Sequence, residues 1–262
     1  MRRVSTWALA GLVGVACLAV PGIARAEGPL FGKDLAAGHQ LPLPFGIGLT
    51  VYSQNQEYTL DSLSVGVPGF ENLPLDALGI DNRLHELNVK FDAWLFPFLN
   101  VFALGGRLDG KTVVDFSDAG LPIPIGRVTI NYDGEVYGGG ATGVFGTERV
   151  FGSLTAVWTQ SSLSGDFDSE AEAFVLSPRF GLVGGRGSVW LGAMYQQADE
   201  KHSGRIAIPF VGVVPFAVEL SQKDDWNGLI GAQVGLDEHW FLELEGGFGS
   251  RTAATMTTSF RF

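Results

Sequence analysis

The sequence predicts an all-β protein that closes into an antiparallel transmembrane β-barrel of about ten strands, with eight or twelve as alternatives. Two observations carry the prediction: apolar and polar residues alternate in segment after segment, and the links between these segments alternate between short and long. Such a strand has one face suited to lipid and one suited to water. In a bilayer it satisfies its backbone only within a closed sheet.

Composition agrees with a barrel and excludes other classes. Only 17% of residues are charged, and mean hydropathy is just +0.20 because apolar residues are interspersed with polar ones. The formal net charge of −11 argues against nucleic-acid binding. A soluble β-sandwich would also alternate, but it rarely has an aromatic residue at almost every turn on one side.

The chain begins with a predicted signal peptide over residues 1–26. Arg2 and Arg3 precede an apolar run, and Ala24 and Ala26 are small residues at the positions that a signal peptidase reads. The run is too short for a helical membrane span. We therefore expect secretion to the periplasm with the leader removed.

A lipoprotein cleaved before Cys17 is the alternative, although Gly14 is unfavourable three places before that bond. Cys17 is the only cysteine, so cleavage after residue 26 leaves no thiol chemistry. Residues 27–44 are then a periplasmic segment, with an edge strand or a plug as its candidate roles. The barrel takes residues 45–262.

The first three strands show the alternation in different degrees. Strand one, near 45–56, has apolar residues at every second position from Ile47 to Val51. Strand two, from about residue 86, has apolar odd positions from Leu87 to Leu95 opposite polar or charged ones. Strand three, near 99–107, is apolar on both faces, so its facing stays open.

The remaining strands repeat the pattern up to the C-terminus. Short links at 96–98, 146–149, 184–187 and 237–239 alternate with long ones near 58–84, 110–126 and 202–222, as in a barrel with turns on one side and loops on the other. The later strands cover about 127–145, 153–159, 174–182, 189–196, 226–236, 242–248 and 253–262.

Aromatic residues beside the short links predict a girdle at one membrane interface. They are Trp94, Phe96, Phe98, Phe145, Phe151, Phe180, Trp240, Phe241 and Phe262.

The final strand carries a polar residue at Thr255 and aromatics at Phe260 and the terminal Phe262. With the alternation before it, this ending resembles that of the small, single-chain outer-membrane β-barrel proteins of Gram-negative bacteria, without pointing to a specific family. Thr257 stands where that ending often has glycine. The resemblance covers essentially the whole mature chain. It implies location in the cell outer membrane, contact with its lipid, and insertion by the barrel-assembly machinery.

Charged residues at inward positions are the candidate lumen lining. The interpretation we favour is a set of ion pairs that braces a narrow interior, because unpaired charges there are costly. The alternative is a selectivity lining for a small polar solute. We expect Arg261 to lie close to the row of Glu243. The candidates are Glu86, Lys90, Asp92, Arg179, Glu243, Glu245 and Arg261.

Three of the long loops carry apolar stretches centred on Pro or Gly, which predict an apolar cap. The loops would pack on one another, or form a hydrophobic mouth that captures a small apolar or amphipathic molecule or a protein. Residues 205–208 and 216–219 predict a hairpin within this cap. The cap candidates are Val67, Phe70, Ile123, Ile125, Phe210, Val213 and Phe216.

An outer-membrane hydrolase is the less favoured function. Asp224, Asp225 and His202 lie near the predicted outer rim, but adjacent strand residues point to opposite faces. We expect no enzyme activity, no cofactor and no metal site, since no matching motif occurs. The expected function is passive passage or capture of a small molecule by a monomer, with loops controlling access. A non-transporting structural or surface-interaction barrel is the alternative.

Overall fold

A computed structural model describes residues 28–36, 42–65, 78–117, 126–165, 167–208 and 212–262. The predicted leader and much of the long loops lie outside these residues. No helix within them is long and apolar enough to cross a membrane. They contain the 3-10 helix Lys33–Ala36 and the strands β1 (Phe45–Val65), β2 (Gly79–Phe96), β3 (Leu99–Asp115), β4 (Arg127–Gly146), β5 (Val150–Gly165), β6 (Phe167–Gly184), β7 (Gly187–Ile208), β8 (Gly212–Gln222), β9 (Trp226–Gly235), β10 (Trp240–Gly249) and β11 (Arg251–Arg261).

All the strands pair antiparallel, and pairing of β11 with β1 closes the sheet. The predicted all-β barrel is therefore confirmed. β8 and β9 are both neighbours of β7 in the barrel. The first part of β7 pairs with β9, and the last part of β7 pairs with β8. The pairing of β7 with β8 also confirms the hairpin predicted over 205–219.

The number of strands around the barrel changes along its axis. At the end that carries the short turns, which we name the wide half, ten strands form the circle. Beyond the tip of the β10–β11 hairpin, β8 pairs directly with β1, and eight strands remain. We name this the narrow half. Barrel diameter grows roughly linearly with strand number, so the interior narrows by about a fifth.

The register shows how steeply the narrow half is staggered. A path that starts at Thr50 of β1 and steps from each residue to its paired residue on the next strand passes through all eight strands. It comes back to β1 at Leu60 instead of Thr50. A stagger of this kind tilts the strands and gives an interior just wide enough for side chains to fill. The circuit passes through Thr50, Asn88, Gly106, Val136, Ser161, Ala171, Glu200, Leu220 and Leu60.

The apolar face of β1 changes sides between the two halves. In the wide half, Ile47 and Val51 of β1 point outward and are exposed, while the strand's inward residue Gln54 is buried. In the narrow half, Tyr58 and Leu60 of the same strand point inward and are buried, and Glu57 faces outward. The wide half therefore suits a lipid surround, and the narrow half has the pattern of a barrel in water.

Aromatic side chains mark both edges of the outward apolar belt. On β2 the belt runs from Leu95 to Leu87, close to the 9–11 residues that a tilted strand needs to cross a bilayer. Near the short turns, Phe98, Phe145, Phe180 and Phe262 are exposed. At the boundary with the narrow half, the outward aromatics are Tyr137, Trp158, Phe174, Tyr195, Trp226 and Phe248.

The predicted girdle is wrong for three residues. Trp94, Phe151 and Phe241 lie at inward positions and line the interior. Nearness to a short turn fixes only height along the barrel, whereas facing follows the two-residue period of each strand.

Candidate functional site: the cavity of the wide half

A cavity of about 1210 Å³ occupies the interior of the wide half, and the short turns form its rim. The segment before β1 contributes Leu35 and Pro42 to its lining. This segment is held by backbone hydrogen bonds from Leu30 N to Trp94 O (3.0 Å) and from Phe31 N to Leu95 O (2.8 Å). It therefore lies against the short-turn end of the barrel.

Arg179 and Glu245 form a two-point ion pair in the cavity wall. Arg179 donates from Nε to Glu245 Oε2 (2.6 Å) and from NH2 to Oε1 (2.8 Å). Trp190 Nε1 donates to the same Oε2 (2.7 Å), and Thr155 Oγ1 accepts from Arg179 NH1 (3.2 Å). Paired N–H donors in this fork geometry fix the position of the carboxylate as well as its charge.

Arg261 and Asp92 form a second buried pair. Arg261 NH2 lies 3.0 Å from Asp92 Oδ2, which also accepts from Asn100 Nδ2 (2.8 Å). Arg261 Nε donates to Leu43 O (3.1 Å), which ties the segment before β1 to the last strand. The ion-pair partner of Arg261 is thus Asp92 across β1, and both Arg261 and Glu243 line the cavity.

Inward glycines make room for these pairs. Gly46 lies between Asp92 and Arg261 in the register, and a Cβ there would come within 2.5 Å of Asp92 Oδ1. Gly231 lies in the same way between Trp190 and Glu245, and its Cβ would strike the Trp190 ring. Each glycine lets side chains of its two neighbouring strands meet across it.

Of the seven lumen candidates, Lys90, Glu243 and Glu86 have no ion-pair partner in the described part of the chain. Lys90 Nζ lies 5.4 Å from the ring centroid of Phe102, an attractive cation–π distance. Glu243 lies in the electrostatic field of Lys90 and Arg179. The seventh candidate, Glu86, accepts a hydrogen bond from Asn88 Nδ2 (2.6 Å).

Apolar side chains occupy part of the described interior of the narrow half. Leu108, Val136 and Leu163 form a buried cluster inside β3, β4 and β5. Asn82 Nδ2 donates to the hydroxyl of Tyr132 (2.7 Å) beside it. Other buried inward residues at this level are Leu60, Ile80 and Val214.

The predicted apolar cap falls mostly beyond the structural description. Val67, Phe70, Ile123, Ile125 and Phe210 lie outside the described residues. Val213 of β8 is 68% exposed, and Phe216 pairs through its backbone with Gly204.

The residues weighed for hydrolysis occupy separate places. Asp224 and Asp225 are exposed in the link between β8 and β9, where Asp224 Oδ1 accepts from Trp226 N (2.9 Å). His202 belongs to β7 and pairs through its backbone with Val218 of β8. Among the described residues, no group of three or more His, Cys, Asp or Glu side chains is arranged to hold a metal.

The last strand packs its aromatics near the rim of the wide half. The Phe260 ring lies 5.1 Å from Trp240 and 6.2 Å from Phe262, centroid to centroid. Thr255 lies inward on the same strand. The role of these residues as an assembly signal stays a prediction.

Sequence reasoning missed some members of the site. Trp190 and Asn100 hold the two carboxylates, and neither was a candidate. The facing of Trp190 was readable, because it shares the less apolar face of its strand with Gly192, whereas the facing of Asn100 was left open by a strand that is apolar on both faces. Their role depends on cross-strand register, which alternation alone does not provide.

No protein-family model matches the sequence, and no curated protein matches it. Among solved structures, the outer membrane protein OprG from Pseudomonas aeruginosa is 13% identical, with a TM-score of 0.45 over 84% of this chain and 98% of that one. The transport unit of the autotransporter AIDA-I from Escherichia coli is 10% identical (TM-score 0.41; 90% and 95% covered). The Ralstonia pickettii toluene transporter TbuX is 9% identical (TM-score 0.36; 90% and 95% covered).

The assignment of a structural class rests on this chain's own features. Its sheet is closed, its outward belt is apolar between two sets of aromatics, and its short turns and long loops lie at opposite ends. This is the architecture of a transmembrane β-barrel.

Proposed function

We propose that the barrel captures a small amphipathic molecule in the cavity of its wide half, from the periplasmic side. The observation that carries this proposal is a cavity of about 1210 Å³ lined by residues of the wide half and of the segment before β1, while buried side chains occupy the interior of the narrow half. Passage across the membrane would require that packing to open. Capture requires no such rearrangement.

The lining supports an amphipathic ligand. Aromatic rings of Trp94, Phe151 and Phe241 provide apolar surface, and Lys90 and Glu243 provide one charge of each sign. Ligand sites typically combine mostly apolar walls with a few polar groups that fix orientation. Inside the rim, which carries Arg186, Asp237 and Glu238, the two arginines are already paired with carboxylates. Lys90 and Glu243 are therefore the deeper charged side chains that would select the ligand.

The binding test uses the purified barrel in lipid nanodiscs with three probes of similar size: benzoate, phenethylamine and phenylalanine. We expect saturable binding of at least one probe by titration calorimetry. Lys90→Met should weaken benzoate, and Glu243→Gln should weaken phenethylamine. Lys223→Met is the matched control, because Lys223 pairs with Glu57 on the exposed outer wall. Absence of saturable binding by all three probes would refute capture.

Conductance in a planar bilayer separates capture from passage. A sealed narrow half should give a folded but silent protein. Reproducible conductance steps would instead favour the channel alternative, with control of access by the loops.

A non-transporting structural or surface barrel is the second candidate, and the apolar filling of the narrow half favours it. Strands of 16–22 residues, such as β5 and β7, would then raise the loops above the membrane on a rigid support. This candidate predicts no conductance in the planar bilayer and no saturable binding of benzoate, phenethylamine or phenylalanine. Either candidate is a monomer without catalytic activity.

We also infer that the barrel-assembly machinery inserts the chain through its last strand, ending in Phe260 and Phe262. Phe262→Ala should lower the inserted fraction in vivo. Spontaneous refolding into detergent should change little, because Phe262 is partly exposed. Normal insertion of this variant would remove Phe262 from the signal.

A further inference from the structure

We propose that a small inorganic anion of the size of chloride binds beside Arg251, at the junction of the wide and narrow halves. This site is separate from the cavity proposed for ligand capture and does not depend on it. Arg251 begins β11, at the tip of the β10–β11 hairpin where the circle changes from ten strands to eight.

Arg251 is a buried cation. Its side chain points inward and is only 1% exposed. The guanidinium donates to the side-chain oxygen of Gln196, to Gln222 Oε1 (3.1 Å) and to the backbone oxygen of Asp225 (3.4 Å). All three acceptors are neutral amide oxygens.

No described carboxylate forms an ion pair with Arg251. The two other inward arginines differ in this respect, since Arg179 is paired with Glu245 and Arg261 with Asp92. Burial of a cation without an opposite charge is strongly unfavourable. The exposed carboxylates of Asp224 and Asp225 act on Arg251 through their electrostatic field but form no ion pair with it, so the buried guanidinium has no charged partner in contact.

Unpaired hydrogen-bond donors around Arg251 indicate where the anion binds. Four buried N–H groups have no acceptor: Arg251 Nε, Gln56 Nε2, Gln222 Nε2 and Asn227 Nδ2. Gln56 is the register partner of Arg251, while Gln222 and Asn227 are hydrogen-bonded to it. The four groups thus belong to one cluster.

Reversal of the amide groups does not supply the missing acceptors. Gln222 Oε1 already accepts from Arg251 NH2, and Asn227 Oδ1 from Arg251 N (3.3 Å). Gln56 Oε1 accepts from Gln54 Nε2 (2.7 Å). A flipped amide would turn its NH2 group toward the N–H donor that its oxygen now accepts from, so that two donors would face each other.

A directed chain of donors also ends at this cluster. The Tyr52 hydroxyl donates to Gln54 Oε1 (2.5 Å), and Gln54 Nε2 donates to Gln56 Oε1. The last donor of the chain, Gln56 Nε2, has nothing to donate to. A bound water accepts two hydrogen bonds and brings no charge, whereas a halide accepts several and neutralises Arg251.

The first test measures thermal unfolding of the folded barrel in detergent at fixed ionic strength, with sodium chloride replaced stepwise by sodium gluconate. Chloride bound only to the folded state should raise the unfolding temperature by about 2–4 °C when near saturation. Arg251→Gln should abolish this dependence. Arg261→Gln is the matched control: it removes an arginine paired with a carboxylate, and should retain the chloride effect despite lower stability.

The second test does not depend on whether a variant folds. Crystals of the wild-type barrel grown in sodium bromide should show an anomalous peak within hydrogen-bonding distance of Arg251 Nε. Ordered waters without such a peak would refute the proposal. Equal unfolding temperatures in chloride and gluconate, or a chloride effect that persists in Arg251→Gln, would refute it as well.

Discussion

The wide half and the narrow half use the same strands with opposite faces. Val51 and Tyr58 lie on β1, yet the apolar side chain is outward at Val51 and inward at Tyr58. Outside the wide half lies hydrocarbon, and outside the narrow half lies water, so the hydrophobic effect acts in opposite directions. On β1 the position at which apolar residues change parity marks the membrane boundary.

Strand number explains why the wide half has room for its cavity. Eight strands leave an interior that side chains such as Leu108 and Val136 fill, whereas ten leave space beyond the reach of the lining residues. Charged side chains in the interior of the wide half are stabilised by ion pairs, such as those of Arg179 and Arg261. The narrow half gains its stability from apolar burial, like a soluble protein.

The largest expected effect is a charge in the narrow core. Val136→Asp would bury an unpaired carboxylate among Leu108 and Leu163, and we expect a loss of about 3–5 kcal/mol in the free energy of unfolding, or no folding at all. Phe91→Arg, on the lipid face, should cost about 2–4 kcal/mol. Thr59→Asp, on the outer wall of the narrow half, should be near neutral. Urea unfolding in lipid vesicles measures all three, and equal losses for Val136→Asp and Thr59→Asp would contradict the inversion.

The second-largest expected loss in the free energy of unfolding comes from breaking a buried ion pair in the wide half. Glu245→Gln leaves Arg179 buried without its anion, with an expected loss of about 3 kcal/mol. The comparison is Glu135→Gln on the exposed wall, where Arg107 lies 3.9 Å away and the loss should stay below about 1 kcal/mol. If the two variants unfold at the same urea concentration, the pair in the cavity wall does not brace the barrel.

Glycine spacing in the wide half supports a smaller effect. Gly46→Ala places a methyl group against the Asp92 carboxylate and should separate it from Arg261, with a loss of about 1–3 kcal/mol. At Gly143 a Cβ would meet nothing within 4 Å, so Gly143→Ala is the control. Comparable unfolding curves for both variants would show that Asp92 adapts without leaving its partner.

Facing was predictable from sequence because it depends only on the two-residue period of a strand. Lys90, Arg179 and Glu243 were assigned inward on that basis, and the structure has them at the cavity. Their partners were not predictable in the same way. The pairing of Arg261 with Asp92 depends on the register across β1 and on the gap at Gly46.

The inversion was missed because residues 58–84 were interpreted as a single loop. Tyr58, Leu60 and Ile80 already alternate with polar neighbours, and only their apolar parity differs from that of the membrane half. Arg251 was missed since the last strand was started at 253, where the alternation becomes apolar. In both cases the sequence has the alternation of a barrel wall in water, with polar residues outward. We looked only for the alternation of a wall in lipid, with apolar residues outward.

The smallest expected effect on stability comes from an ion pair at the exposed end of the narrow half. Ser117 and Arg127 donate to Asp115 and lower the pKa of that carboxyl to about 2. Since the folded pKa lies below the ordinary value, these contacts stabilise the β3–β4 connection above about pH 4, and that contribution is lost as the pH falls toward 2. Arg127→Gln should raise the pKa of Asp115 measured by NMR, while Arg107→Gln, on the same wall, should leave it unchanged. The cost in stability should be slight, because solvent screens the exposed pair, in contrast to the buried Arg179–Glu245 pair of the wide half.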